Sequence, residues 1–315
     1  MIRFFYLKDE ELQWEKGTEV EVPSGSKLIW VDLQSPDKEE IARVEKAFNI
    51  ELFTPQEAEE IESSSRYLEG ATTIEANNIF IIYENKSYVS KQVSFILKGA
   101  VLFTVRNADL RSFAETVRKL KAIKNGTVLN GSQIWILLLQ TRIDLDADFI
   151  EYLTRQTNQV SRKLLKERSF EEEILIKITE LQEYTILIRE SIIDKQRVVS
   201  SLLKSAVIQE GEKENLRIIF KDIASLLTHT QFSFERLEYL QSTFLGLVNI
   251  EQNQVIKIFT VATVIFMPPT LIASVYGMNF PMPELKWPFG YPIALILMVF
   301  SSLSFLWYFK HKKWL

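Results

Sequence analysis

Two apolar runs at the end of the chain restrict its fold more than any other feature. No charged residue occurs from Ile258 to Pro283, and none occurs from Trp287 to Phe309. Each run holds a core of about 20 apolar residues, which at 1.5 Å per residue matches the roughly 30 Å hydrocarbon thickness of a bilayer. A soluble core has no place for two consecutive helices that are apolar on every side. The sequence therefore predicts a transmembrane helical hairpin over 255–315, preceded by a soluble part over 1–254.

The charge distribution agrees. The 37 basic and 41 acidic residues give a net charge of −4, and nearly all of them precede the first run. The soluble part is thus long enough for a core of its own. The apolar stretch after Met1 is too short for a signal peptide, and the chain has no cysteine. Disulfides and thiolate metal sites are excluded. A cytoplasmic location is expected for the large part, and two spans then return the C-terminus to the same side. Lys257, Lys310, Lys312 and Lys313 flank the spans on that side, in keeping with the positive-inside rule. The connection over 277–290, with Glu284 and Lys286, is expected outside.

Prolines sit at 23, 36 and 55 and are then absent until Pro268. The first region reads as mixed α/β. Leu28–Leu33 is a strand candidate, with Ser35 as N-cap and Pro36 at the first helical position beyond it. Residues 79–83, 92–97 and 100–105 are short runs rich in β-branched and aromatic residues, and Lys98-Gly99 between the last two reads as a hairpin turn. From about Ser132 the periodicity is helical. Ser169-Phe170-Glu171-Glu172 reads as a capping box opening a helix to about Val207, and Gly211 reads as a break. Apolar residues then recur at three- and four-residue steps from Leu216 through Phe220, Ile223 and Leu240 to Val248. Nothing stops this helix before Tyr276, so a stalk of about 65 residues, on the order of 100 Å, is predicted.

One helical hairpin cannot enclose an aqueous path, because its backbone polar groups are used within the helices. A path needs several copies arranged by symmetry. The first span carries a stripe that suits its wall. Asn253, Thr260, Met267 and Ser274 recur at steps of seven, and Ile256, Thr263, Thr270 and Gly277 recur likewise, offset by three. Small and hydroxyl residues at this spacing also serve close helix packing in lipid, so the periodicity leaves both uses open. Pro268 and Pro269 remove two backbone donors and free carbonyls in the preceding turn. Those carbonyls face either passing ions or a neighbouring helix. Gly277 suits a helix C-cap at positive φ, and Asn279 either caps the helix or offers a neutral amide oxygen.

The string Tyr276-Gly277-Met278-Asn279-Phe280, followed by Met282-Pro283-Glu284-Leu285, resembles the signature of the CorA family of divalent-cation transporters. The likeness extends to Asn253, Met267-Pro268 and Thr270, and to Lys312-Lys313-Trp314-Leu315. It implies a funnel-shaped homopentamer in the cell (inner) membrane, with both termini cytoplasmic and no enzymatic activity. Mg2+ would be carried inward, with Co2+ or Ni2+ also able to pass. The first span would line the pore, and Gly277, Met278 and Asn279 would form its mouth, where a ring of Asn279 amides selects a hydrated ion. In the connection itself, Glu284 either pairs in solvent with Lys286 or, as part of a multi-copy ring, concentrates cations outside. The family also closes when cytoplasmic Mg2+ binds carboxylates between subunits. Asp222 is the candidate here, because Phe220-Lys221-Asp222-Ile223 resembles the corresponding segment. Phe259, Pro269 and Ser274 depart from the family pattern.

Other signals carry less. The acidic runs at Glu57, Glu59, Glu60 and Glu62 and at Glu171-Glu172-Glu173 read as solvated helix faces. His229 and His311, the only histidines, are far apart. No phosphate-binding glycine loop, Ser/His/Asp grouping or nucleic-acid patch stands out. Two rival functions remain: a zinc carrier of the ZntB type, which shares Gly-Met-Asn, and a membrane-anchored sensor whose hairpin conducts nothing.

Overall fold

The computed structural model describes residues 1–9, 11–17, 23–53, 66–122, 129–167, 171–279, 282–283 and 287–312. In chain order the elements are β1 (Ile2–Lys8), β2 (Glu11–Gly17), β3 (Lys27–Gln34), α1 (Lys38–Phe48), β4 (Tyr67–Glu69), β5 (Thr73–Glu84), β6 (Ser87–Lys98) and β7 (Val101–Arg106). The helices α2 (Arg111–Ala122), α3 (Gly131–Leu165), α4 (Glu172–Lys204), α5 (Glu210–Tyr276) and α6 (Gly290–His311) follow. Contacts divide the chain into two units, Met1–Leu240 and Gln241–Leu315. The division falls inside α5, upstream of the boundary at 254 expected from hydropathy.

The first unit is built on a seven-stranded sheet of order β2-β1-β3-β7-β6-β5-β4. Every neighbouring pair is antiparallel except β3 and β7. Strand alternation puts apolar side chains on both faces. On one face Ile2, Phe4, Val31, Leu33, Ile96 and Phe103 pack with Val44 of α1 and with Leu52. On the other, Phe5 stacks on Trp30 at 4.3 Å, Trp30 meets Phe113 of α2, and Phe95 stacks on Trp135 of α3 at 5.4 Å. Each such side chain contributes roughly 1.5–3 kcal/mol when buried.

Charged groups are also built into this second face. Asp32 is fully buried between Arg3 of β1 and Thr104 of β7, its register partners. Arg106 donates to its carboxylate from Nε at 3.1 Å and Nη2 at 3.0 Å, Arg3 Nη2 at 2.6 Å and the Thr104 hydroxyl at 2.9 Å. A carboxylate so buried is tolerated because its lone pairs are taken up by donors and two of those donors are cationic.

A second buried group covers a strand edge. β4 is only three residues long, so β5 beyond Ala76 has no strand on that side among the described residues. Helix side chains take over. Asp194 of α4 accepts from Ile79 N at 2.7 Å, while Ser191 Oγ and Lys195 Nζ donate to Ile79 O, each at 2.7 Å. Arg142 of α3 donates to Ile81 O at 2.9 Å. Behind them Asp146 accepts from Arg142 Nε at 2.8 Å and sits 3.3 Å from Lys195 Nζ, while Arg66 lies 3.7 Å from Asp194. Burial pulls the Lys195 ammonium down to a pKa of about 8, against the attraction of Asp146.

Helix starts follow local chemistry. α1 begins later than Ser35-Pro36 implied, because Asp37 and Glu40 form a reciprocal capping box and Ser35 takes φ +45°. α3 opens with the same device from Asn130 and Gln133, and the Glu212 carboxylate accepts from Ser132 Oγ at 2.7 Å and Asn130 Nδ2 at 3.0 Å. The capping serine expected for α4, Ser169, lies outside the described residues, and Glu171 at its N-cap makes no side-chain bond. Gly211 does not break the helix. The interruption is Ser205–Gln209, and Gly211 lies in the first turn of α5. Gly99 makes the predicted β6–β7 turn at φ +57°.

α5 runs 67 residues without interruption, as the sequence predicted. Within the first unit it packs through Leu216, Ile219, Ile223, Leu237 and Leu240, all buried at helical spacing.

Candidate ion path

The second unit consists of the end of α5, the turn after it and α6. Only 6% of the apolar stretch of α5 and 11% of that of α6 is buried within the chain. A core helix is mostly covered, so these surfaces require lipid or further copies around them. Aromatic residues bracket α6: Trp287, Phe289 and Tyr291 at one end, Trp307 and Tyr308 at the other, all exposed. This is the distribution expected at the two interfaces of a bilayer.

The sequence-predicted stripe occupies a definable side of α5. Residues 261, 264, 265, 268, 269, 272 and 276 are buried or half-buried and form the face turned to α6. Asn253, Ile256, Thr260, Thr263, Met267, Thr270, Ser274 and Gly277 are all exposed. At 100° per residue the stripe is centred about 160° away from the α6 face. Packing against α6 therefore does not use it, and all eight predicted residues share one uncovered side.

The stripe has a defined polarity. Thr260 Oγ1 donates to Ile256 O at 2.8 Å, Thr263 Oγ1 to Phe259 O at 2.8 Å and Thr270 Oγ1 to Phe266 O at 2.7 Å. Each hydroxyl proton is thus held inside the helix, leaving the oxygen lone pairs outward. A column of acceptors suits the waters of a hydrated cation, whose hydrogens point away from the metal.

At the end of α5, Gly277 N bonds Ala273 O at 2.8 Å and Met278 N bonds Val275 O at 3.2 Å. The expected positive φ at Gly277 is not found; that region holds only Gly25 and Gly99 among the described glycines. A Cβ there would lie 3.1 Å from Ala273 O, a tight contact that a shift of a few tenths of an ångström would relieve. Met278 and Asn279 are exposed, and among the described residues the Asn279 carboxamide has no hydrogen-bond partner. Glu284, Lys286 and Lys313 lie outside the described residues.

Asp222 is exposed on α5 within the first unit. Among the described residues no group of three or more His, Asp or Glu could hold a metal within one chain. Sequence reasoning missed Ser302 of α6, whose hydroxyl lies 3.3 Å from Ile265 O. Its signal was present as Ser301, Ser302 and Ser304 in a charge-free run, but not its partner.

Comparison with known proteins agrees with this layout. A family model described as CorA-like Mg2+ transporter protein matches residues 25–311. The magnesium transport protein CorA of Wolinella succinogenes is 38% identical over 322 aligned residues, covering 100% of both chains. That of Salmonella typhimurium is 36% identical, covering 97% of this chain and 98% of its own. The complete structure of the CorA magnesium transporter from Methanocaldococcus jannaschii matches over 100% of this chain and 99% of that one, with a TM-score of 0.85 at 20% identity.

Proposed function

Because this chain belongs to the CorA family of Mg2+ transporters, we propose that it carries Mg2+ inward across the cell membrane along a path lined by α5. One observation supports this above all. The eight stripe residues share the side of α5 away from α6 and lead to an exposed Gly277-Met278-Asn279 turn. A hairpin cannot enclose water, so several copies must place these sides around one axis, and a homopentamer is the assembly the family suggests.

Mg2+ sheds its waters reluctantly and prefers oxygen ligands. A ring of Asn279 amides at the mouth receives those waters as hydrogen-bond donors and leaves the hydration shell in place. The threonine oxygens continue the same chemistry along the helix, and binding stays weak enough for release. The drive is the membrane potential, about 2.3 kcal/mol per charge per 100 mV, hence roughly twice that for a dication. Lys257, Lys310, Lys312 and Lys313 favour both termini on the cytoplasmic side. There Asp222 joins carboxylates of a neighbouring copy in a Mg2+ site that closes the path when internal Mg2+ is high. Co2+ and Ni2+ form octahedral hydrated ions of similar size, and pass as well.

Metal flux into proteoliposomes of the purified protein, compared across Mg2+, Co2+ and Zn2+, tests the reading. Mg2+ uptake that responds to the imposed potential supports it. Uptake of Zn2+ alone points to the zinc carrier, and no uptake of any ion points to a non-conducting anchor. Asn279→Ala should cut Mg2+ flux by about two orders of magnitude if about 3 kcal/mol of site stabilisation is lost. Assembly and melting temperature should change little. Wild-type flux in correctly assembled Asn279→Ala protein refutes the entrance ring.

A further inference from the structure

Ile265 lies four residues before Pro269 on α5. Proline has no N–H, so the Ile265 carbonyl has no partner at its normal place in the helical ladder. In hydrocarbon there is no water to supply one. Ser302 of α6 does so: its Oγ lies 3.3 Å from Ile265 O, across a separation of 37 residues. The adjacent serine behaves differently, since Ser301 Oγ donates to Met298 O at 2.8 Å within its own helix. On α5 the next carbonyl, Phe266 O, receives the Thr270 hydroxyl at 2.7 Å. Helical spacing places Ile265 on the half-buried face toward α6, and Thr263, Met267 and Thr270 on the opposite, exposed side.

We propose that Ser302 is a positioning residue for ion transport: its hydroxyl replaces the N–H missing at Pro269 and holds the middle of α5 against α6. The Ile265 carbonyl is thereby withheld from passing cations, which meet the side-chain oxygens of Thr263 and Thr270 on the other side. Two prolines in succession remove two backbone restraints from one turn of the path-lining helix. The cross-helix bond restores one of them from outside the path. Its influence on conduction rests on the ion-path reading given above, whereas the bond itself does not.

The test is a double-mutant cycle on the full-length protein, using Ser302→Ala and Pro269→Ala. Alanine at 269 restores the N–H that Ile265 O lacks, so the serine should become dispensable. Ser302→Ala alone should lower maximal Mg2+ flux about fivefold or more while the half-saturating Mg2+ concentration stays constant, because the entrance is untouched. Ser302→Thr keeps a hydroxyl and should retain most of the flux. Ser302→Ala/Pro269→Ala should match Pro269→Ala to within about twofold. The same non-additivity should appear in the melting temperature of detergent-solubilised protein, or in assembly if Ser302→Ala fails to assemble. Wild-type flux and melting in Ser302→Ala, or purely additive effects in the double variant, overturn the proposal. If no variant conducts, parent included, yet melting remains non-additive, the ion-path reading fails and the Ser302 bond stands.

Discussion

Lys195 supplies a prediction whose sign and size follow from the structure. Its side chain is completely enclosed, with Asp146 and Arg142 of α3 on one side, Asp194 on its own helix and the Phe80 ring 5.3 Å away. Burial lowers its pKa from the ordinary 10.5 to about 8, with Asp146 opposing the shift. That change is worth roughly 3 kcal/mol, at about 1.4 kcal/mol for each tenfold change in proton affinity. Below about pH 8 the lysine is charged in both the folded and the unfolded chain, and the folded state bears the whole cost. Between about 8 and 10.5 the folded lysine is neutral while the unfolded one still binds a proton, so stability must rise with pH. Above 10.5 both are neutral and the cost has gone.

Tyrosines and other lysines titrate in the same window, so the measurement is a comparison with Lys195→Met. Methionine keeps most of the side-chain volume, and Asp146 keeps its bond from Arg142 Nε at 2.8 Å. Melting followed by tryptophan fluorescence reports on the same core through Trp30 and Trp135, both fully buried. At about 2–4 °C per kcal/mol for a unit of this size, the parent should gain about 6–12 °C on the variant between pH 7.5 and 10.5. Parallel curves for the two proteins across that range would refute the argument.

Three further outcomes are expected. Gly131→Ala should destabilise the first unit by about 1–3 kcal/mol in chemical denaturation, because a Cβ there would meet backbone atoms of β7 and its turn at 2.5, 2.7 and 2.9 Å. Asp32→Ala leaves Arg106, which is only 1% exposed, with no buried counter-charge, only the exposed Asp109 carboxylate at 3.7 Å, and should cost about 3–5 kcal/mol in the same assay. A loss under about 1 kcal/mol would mean that Gln34, Ala108 and Asp109 suffice for Arg106. Asp222→Ala should leave basal Mg2+ flux intact and keep the path open at internal Mg2+ levels that shut the parent; unchanged inhibition would remove Asp222 from the regulatory site.

Much of the architecture was legible because it is written in local periodicity. Two charge-free runs of bilayer length, a helical pattern uninterrupted to Tyr276 and the Lys98-Gly99 turn each depend on neighbours within a few residues, and α5, α6 and the β6–β7 hairpin follow them. The stripe on α5 was legible for the same reason, since steps of seven put residues on one side of a helix wherever that helix lies. Glycine at 277 was identified, but the positive φ expected of it is not found; a Cβ there would be close to Ala273 O at 3.1 Å. β1, β2, β4 and α2 were not anticipated. The three strands are short and mix charged with apolar residues, so alternation alone does not separate them from loops, whereas α2 did carry a helical signal in Phe113, Val117 and Leu120 that sequence reasoning missed.

By itself the sequence determined the two apolar runs of bilayer length, the long helix that leads into them and which residues share one side of that helix. The tertiary structure decided which groups meet. Asp194 reaches Ile79 across 115 residues, Arg106 reaches Asp32 across 74, and Ser302 reaches the carbonyl freed by Pro269 across 37. Spacing along a chain sets the direction in which a side chain leaves its own helix or strand. Only packing sets what stands opposite it, and a buried lysine or an orphaned carbonyl acquires its meaning from that partner.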